Sequence, residues 1–179
     1  MHARLAETMT FVEEKRRDLL QSFEGVEGDR LSRRADPEAW SVAEILEHLR
    51  IVESGIARLI TKRAGQAREA GLGEEKSTSS VMPAWEPMQA ALDRGKMEAP
   101  VSVRPRADVD VSEVLDGLNS SREALRAAVV SASGLSLGEI KHTHPILGEL
   151  DLYQWLIFIG QHEGRHKKQI ERTLQSIPT

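Results

Sequence analysis

The sequence predicts an all-α protein, a four-helix bundle, and three observations carry that prediction. Three segments open with the same helix-capping grammar, and apolar residues then recur at helical spacing. Aromatic residues make up only 4% of the chain and alternating β-branched runs are missing, so no sheet is expected.

A first helix is expected from about Ala3 to Phe23, with Leu5, Met9, Val12, Leu19 and Phe23 facing inward and Gly25 and Gly28 beyond its end. The second begins after Ser41, in W-S-V-A-E-I. Ser41 can cap the amide three residues on, Glu44 can reach back to the Ser41 amide, and Trp40 and Ile45 flank this box as a hydrophobic staple. Its apolar stripe is Ile45, Leu49, Val52, Ile56 and Leu59. In the third, V-D-V-S-E-V, the capping roles fall to Asp110 and Glu113 and the staple to Val109 and Val114. Val114, Leu118, Leu125 and Val129 form its stripe, and Gly134 is its stop signal. The last, L-D-L-Y-Q-W, pairs Asp151 with Gln154 and Leu150 with Trp155. It carries Leu152, Leu156, Ile159 and Ile170 inward and ends before Pro178.

Between the second and third helices lies a long connection, Leu72 to Val109, holding Pro83, Pro87, Pro100, Pro105 and the polar run EEKSTSS. Its length points to a crossover along the bundle or to a function of its own. A short helix from Ala84 to Arg94 inside it would bury Trp85, Met88 and Leu92.

At 179 residues the chain fits one domain, spanning positions 1–179, with room for a real core. The absence of cysteine excludes disulfides, thiolate zinc sites, iron–sulfur clusters and a cysteine nucleophile. A net charge of −4 gives no footprint for nucleic acid or anionic membranes. The longest apolar run, Trp155 to Ile159, is far short of a bilayer span, and the charged N-terminus does not read as a secretion signal. A cytoplasmic location is expected.

Six histidines are unevenly placed: His2, His48, His142, His144, His162 and His166. His162 and His166 stand one turn apart on the inward stripe of the last helix, with Trp155 and Ile159. Such a pair is common on helices that bind no metal. His48 strengthens it, because it lies between Ile45 and Val52 on the inward stripe of the second helix. Bundles build metal sites from side chains on facing helices, and three imidazoles leave an open coordination position. The plainer reading, three satisfied core histidines, stays open at this point.

Around them, Glu44 could orient His48, although its capping role already accounts for it. Glu163 and Gln169 lie near the last pair and are weak candidates to support it, although such residues are more often solvated helix positions. Arg165 could meet an anionic substrate or simply lie on the surface. In K-H-T-H-P-I-L-G, Pro145 pushes His144 towards an extended conformation, and Gly148 signals a turn. That loop could set His144 in the pocket wall, whereas His142 reads as exposed and His2 as a loose terminus. Ser-His-Asp, phosphate-loop, dinucleotide and H-E-x-x-H patterns are missing.

W-S-V-A-E-I-L-E-H-L (40–49), with H-P-I-L-G-E-L-D-L-Y-Q-W-L-I-F-I-G-Q-H-E-G-R-H-K-K-Q-I (144–170), resembles the DinB-like superfamily. That group includes bacillithiol transferases and a domain of mycothiol-dependent maleylpyruvate isomerase. V-R-P-R-A-D-V-D-V-S-E-V-L resembles the family's third-helix region, so the likeness covers most of the chain. It implies an up-down-down-up bundle with a long crossover between helices two and three. It also implies a metal triad at His48, His162 and His166, nickel or zinc as the metal, and a possible homodimer. The chain departs from the isomerase pattern by ending after the bundle.

The implied activity is transfer of a low-molecular-weight thiol to a small electrophile, in detoxification or stress. A hydrolase using metal-bound water and a non-catalytic metal-binding stress module are the alternatives. Histidine donors alone also admit iron or copper. The expected partners are small molecules rather than nucleic acid or membrane.

Overall fold

The computed structural model describes residues 1–92 and 98–177. In chain order its elements are α1 (Ala3–Gln21), α2 (Gly28–Ser32), α3 (Val42–Glu69), α4 (Glu86–Leu92), α5 (Val111–Ala132), β1 (Lys141–His144), β2 (Gly148–Asp151) and α6 (Leu152–Ser176). The four long helices α1, α3, α5 and α6 form a bundle.

The capping chemistry explains where these helices start. At α3 the Ser41 side chain accepts from the Glu44 amide while the Glu44 carboxylate accepts from the Ser41 amide. Asp151 and Gln154 repeat this at α6, and Asp110 caps the Glu113 amide at α5. His2 is not a loose end: its Nδ1 accepts from the Arg4 amide and caps α1. At the other end of α5, Gly134 adopts φ +90°, the left-handed turn that a side chain would strain.

Side-chain contacts fix the helix directions. Along α3 and α5, Arg50 lies over Gly117, Glu53 meets Ser121, and Arg68 donates to Ser131 O, so the two run the same way. Along α1 and α6, Arg4 sits over the Tyr153 ring and Arg16 bonds Glu163, again in parallel. The close approach of α1 to α6 depends on Gly160, where an added Cβ would stand 2.5 Å from Phe11 Cε1.

The apolar interior falls into two clusters. One gathers Val12, Ile56, Ile60, Leu125, Leu156 and Ile159, and the other Leu19, Ile45, Leu49, Leu118 and Ile170. Each helix carries one buried charge between its contributions to the two clusters: Arg16, Glu53, Arg122 and Glu163. Arg16 bonds Glu163 and Glu53 at 2.8 Å each, and Arg122 bonds Glu53 at 2.8 Å and Glu163 at 2.9 Å. Glu163 is therefore not a solvated helix residue. Its partners come from α1 and α5, and among the described residues its Oε2 has no hydrogen-bond partner.

The expectation of no sheet is corrected. Lys141–His144 and Gly148–Asp151 pair antiparallel, with His142 opposite Leu150 and His144 opposite Gly148. Strands of four residues are too short to show alternation. The extended bias before Pro145 and the turn at Gly148, φ +77°, close the hairpin, and buried Leu150 anchors it. His142 is correspondingly half-buried, with Nδ1 2.9 Å from Arg63 Nη2.

The connection from α3 to α5 holds 3-10 turns at Met82–Trp85 and Val101–Val103 with α4 between them. Trp85 is buried as expected and Met88 half-buried, whereas the Leu92 side chain and residues 93–94 lie outside the described residues. Glu75 fastens its start by accepting from Arg4 and from the Tyr153 hydroxyl. Among the described residues no helix is long and apolar enough to cross a membrane.

Candidate metal centre

His48 sits in the second turn of α3, where the Ser41 cap fixes the helix start and Trp40 packs 5.1 Å from the His48 ring. His162 and His166 project from successive turns of α6 towards it. The three rings converge: His162 Nε2 stands 3.2 Å from His48 Nε2 and 3.1 Å from His166 Nε2. One ligand atom from each of the three lies within 4.8 Å of the others. His48 and His166 are buried and His162 is half-buried.

The outer ring nitrogens show which inner nitrogens keep their lone pairs. His48 Nδ1 donates to Val103 O at 2.7 Å, and His166 Nδ1 donates to Gln169 Oε1 at 2.8 Å. A neutral imidazole carries one proton, so both Nε2 atoms are acceptors facing inward. His162 can donate to only one of them. At least one inward lone pair is then left without a donor in a buried space, and a cation at the centre would relieve that arrangement. Nitrogens sharing one tetrahedral ion at about 2.0–2.1 Å would stand about 3.3 Å apart, close to the separations present.

The protonation states suit the same chemistry. Burial holds His48 below the usual imidazole range, against the opposing pull of its bond to Val103. Burial, then the neighbouring His166 and His48, push His162 well down. Burial and His48 bring His166 to about 3, with the Gln169 bond opposing. All three stay neutral near pH 7, as ligation requires.

Of the two expected pocket residues, His144 lies at the end of β1 with its ring 4.7 Å from Phe158, which stacks on His162 at 5.1 Å. It belongs to the same wall, one ring removed from the triad. Arg165 is half-buried on α6 and near enough for its charge to bear on His162 and His166. Glu44 is occupied by its cap and by Arg34, and does not orient His48. Val103 was invisible in the sequence, because it acts through its backbone oxygen from a distant connection. Gln169 was visible only as a neighbour three residues beyond His166.

Fold and site together define a helical bundle with a buried cluster of three imidazoles between facing helices. The chain belongs to the DinB superfamily, whose pattern matches residues 12–170. It is 29% identical over 171 residues to the uncharacterized protein YuaE of Bacillus subtilis, covering 94% of this chain and 98% of that one. Among solved structures it is similar to TT2238, described as a four-helix bundle protein, with a TM-score of 0.63 at 20% identity, covering 94% of this chain and 98% of the other. A Streptococcus pneumoniae protein aligns with a TM-score of 0.58 at 17% identity, covering 99% of this chain and 94% of its own.

Proposed function

We propose that the protein is a metal-dependent transferase that joins a low-molecular-weight thiol to a small electrophile, with His48, His162 and His166 holding a divalent ion, zinc or nickel. The observation that carries the metal reading is the unpaired lone pair among the three Nε2 atoms. A bound ion would supply Lewis acidity, favouring the thiolate form of a thiol or lowering the pKa of water. The protein supplies the rest. Val103 O and Gln169 hold two rings in the tautomer that ligates. Phe158, stacked on His162, and Trp155 beyond it give an apolar wall for the carbon chain of a substrate. With no cysteine in the chain, the sulfur nucleophile comes from a cosubstrate. Membership of the DinB superfamily supports the metal reading, and the resemblance to thiol transferases supports the reaction class.

The test begins with elemental analysis of wild type and His162→Ala purified without chelators. Close to one equivalent of metal is expected in the wild type and less than a tenth of that in the variant; undiminished metal in the variant overturns the site. Metal-loaded protein is then assayed with several thiols and a chromogenic aryl halide. A thiol-dependent rate that disappears on chelation, with the fold retained, is expected. Loss of the fold on chelation without any thiol-dependent rate would instead identify a structural metal in a non-catalytic stress module.

A further inference from the structure

The hydrogen bonds of His144 settle which of its nitrogens carries the proton. Its Nδ1 accepts two backbone N–H groups, from Ile146 and Leu147, each at 3.1 Å. A nitrogen that accepts keeps its lone pair, so the proton of the neutral ring sits on Nε2. The tight turn between β1 and β2 imposes this, and no side-chain rearrangement is needed to maintain it. The ring is 7% exposed, stands edge-on to Phe158 and lies 5.0 Å from Trp155. Among the described residues no hydrogen-bond acceptor stands at its Nε2–H. A donor held in one tautomer, beside two aromatic rings and without an acceptor among the described residues, is suited to an acceptor that arrives from outside.

We infer that His144 is a substrate-binding residue whose Nε2–H donates to a carbonyl or carboxylate oxygen of a short-chain substrate. Two ring-to-ring steps, of 4.7 and 5.1 Å, lead from His144 through Phe158 to His162. The substrate's sulfur end would lie at the His162 side and its oxygen end at His144, with Phe158 beneath the chain between them. This placement of the sulfur end rests on the metal reading given above, whereas the donor role of His144 does not. Burial keeps the His144 ring down at about 4, so it remains a neutral donor across the physiological range. Arg165 is a second place where a carboxylate could bind, and the experiment separates the two.

The test uses the full-length protein labelled with ¹⁵N-histidine, zinc-loaded and metal-free, and two probes, 3-mercaptopropionate and propane-1-thiol. Imidazole spectra are expected to show His144 as the Nε2–H tautomer in both states; an Nδ1–H tautomer overturns the inference. With zinc bound, 3-mercaptopropionate is expected to bind about tenfold more tightly than propane-1-thiol, as one hydrogen bond to a charged acceptor allows. It should also shift the His144 Nε2 resonance. In His144→Asn, whose amide oxygen can replace Nδ1 at the turn, the preference should vanish while propane-1-thiol binds as before. A preference that survives in His144→Asn places the carboxylate elsewhere, on Arg165, and overturns the inference. If zinc leaves the rings of His48, His162 and His166 unmoved, it is the metal reading that fails. In that case 3-mercaptopropionate must still shift the His144 Nε2 resonance of metal-free protein, and no shift there overturns the His144 assignment on its own.

Discussion

A histidine ligates only through a nitrogen that keeps its lone pair, and at two of the three rings an oxygen on the far side decides which nitrogen that is. Gln169 does this for His166, so Gln169→Ala is expected to weaken metal binding about 10- to 100-fold, read by competition with a chromogenic chelator, while the helix stays folded. A second prediction concerns acid. The His144 ring titrates at about 4 in the folded protein, against about 6.5 in an unfolded chain. The unfolded state takes up the proton first. The stability tied to this ring is thus fully present above about pH 6.5 and is lost as pH falls towards about 4. Urea midpoints measured against pH in wild type and His144→Asn check it: the difference between them should shrink across that window. At this scale the sequence revealed the three ligands, because the helical stripe determines which way a side chain faces. It hid Glu163, because an acidic residue on a helix reads as solvated until Arg16 and Arg122 arrive from elements far away in the chain.

The capped helices were legible at the level of elements because Ser41 and Asp151 leave a local signature that needs no partner from elsewhere. The hairpin was not, since its pairing joins strands of four residues whose stability comes from Leu150 beneath them. Nor was α2, whose five residues are too few for a periodic pattern. Two glycines on α6 show how much an element depends on its neighbour. At Gly160 an added methyl would press on the Phe11 ring and also stand 3.3 Å from Lys15 Cγ. Gly160→Ala is expected to cost about 1–2 kcal/mol, overpacking outweighing the gain in helix propensity. Adding Phe11→Leu should recover part of that loss. At Gly164 only Lys15 Cδ comes near, at 3.9 Å, so Gly164→Ala should stabilise by up to about 1 kcal/mol. Thermal melts of the three variants separate the two cases.

Across the whole molecule, the Arg16–Glu53–Arg122–Glu163 layer divides the core and takes one member from every long helix. Because each charge has partners on other helices, the layer sets the relative height of all four at once. Arg122→Met is expected to cost about 3–5 kcal/mol in urea denaturation, since it leaves Glu53 and Glu163 buried with one arginine between them. The crossover contributes to the site in a different way. Its hold on His48 is a main-chain carbonyl at Val103, an atom that every amino acid possesses. Replacing the side chain at that position does not remove the acceptor, whereas replacing Gln169 does. Over evolutionary time the crossover can therefore change its composition while His48 keeps the same proton in the same place, so long as the backbone path is preserved. Sequence drift is permitted on one side of the centre and penalised on the other.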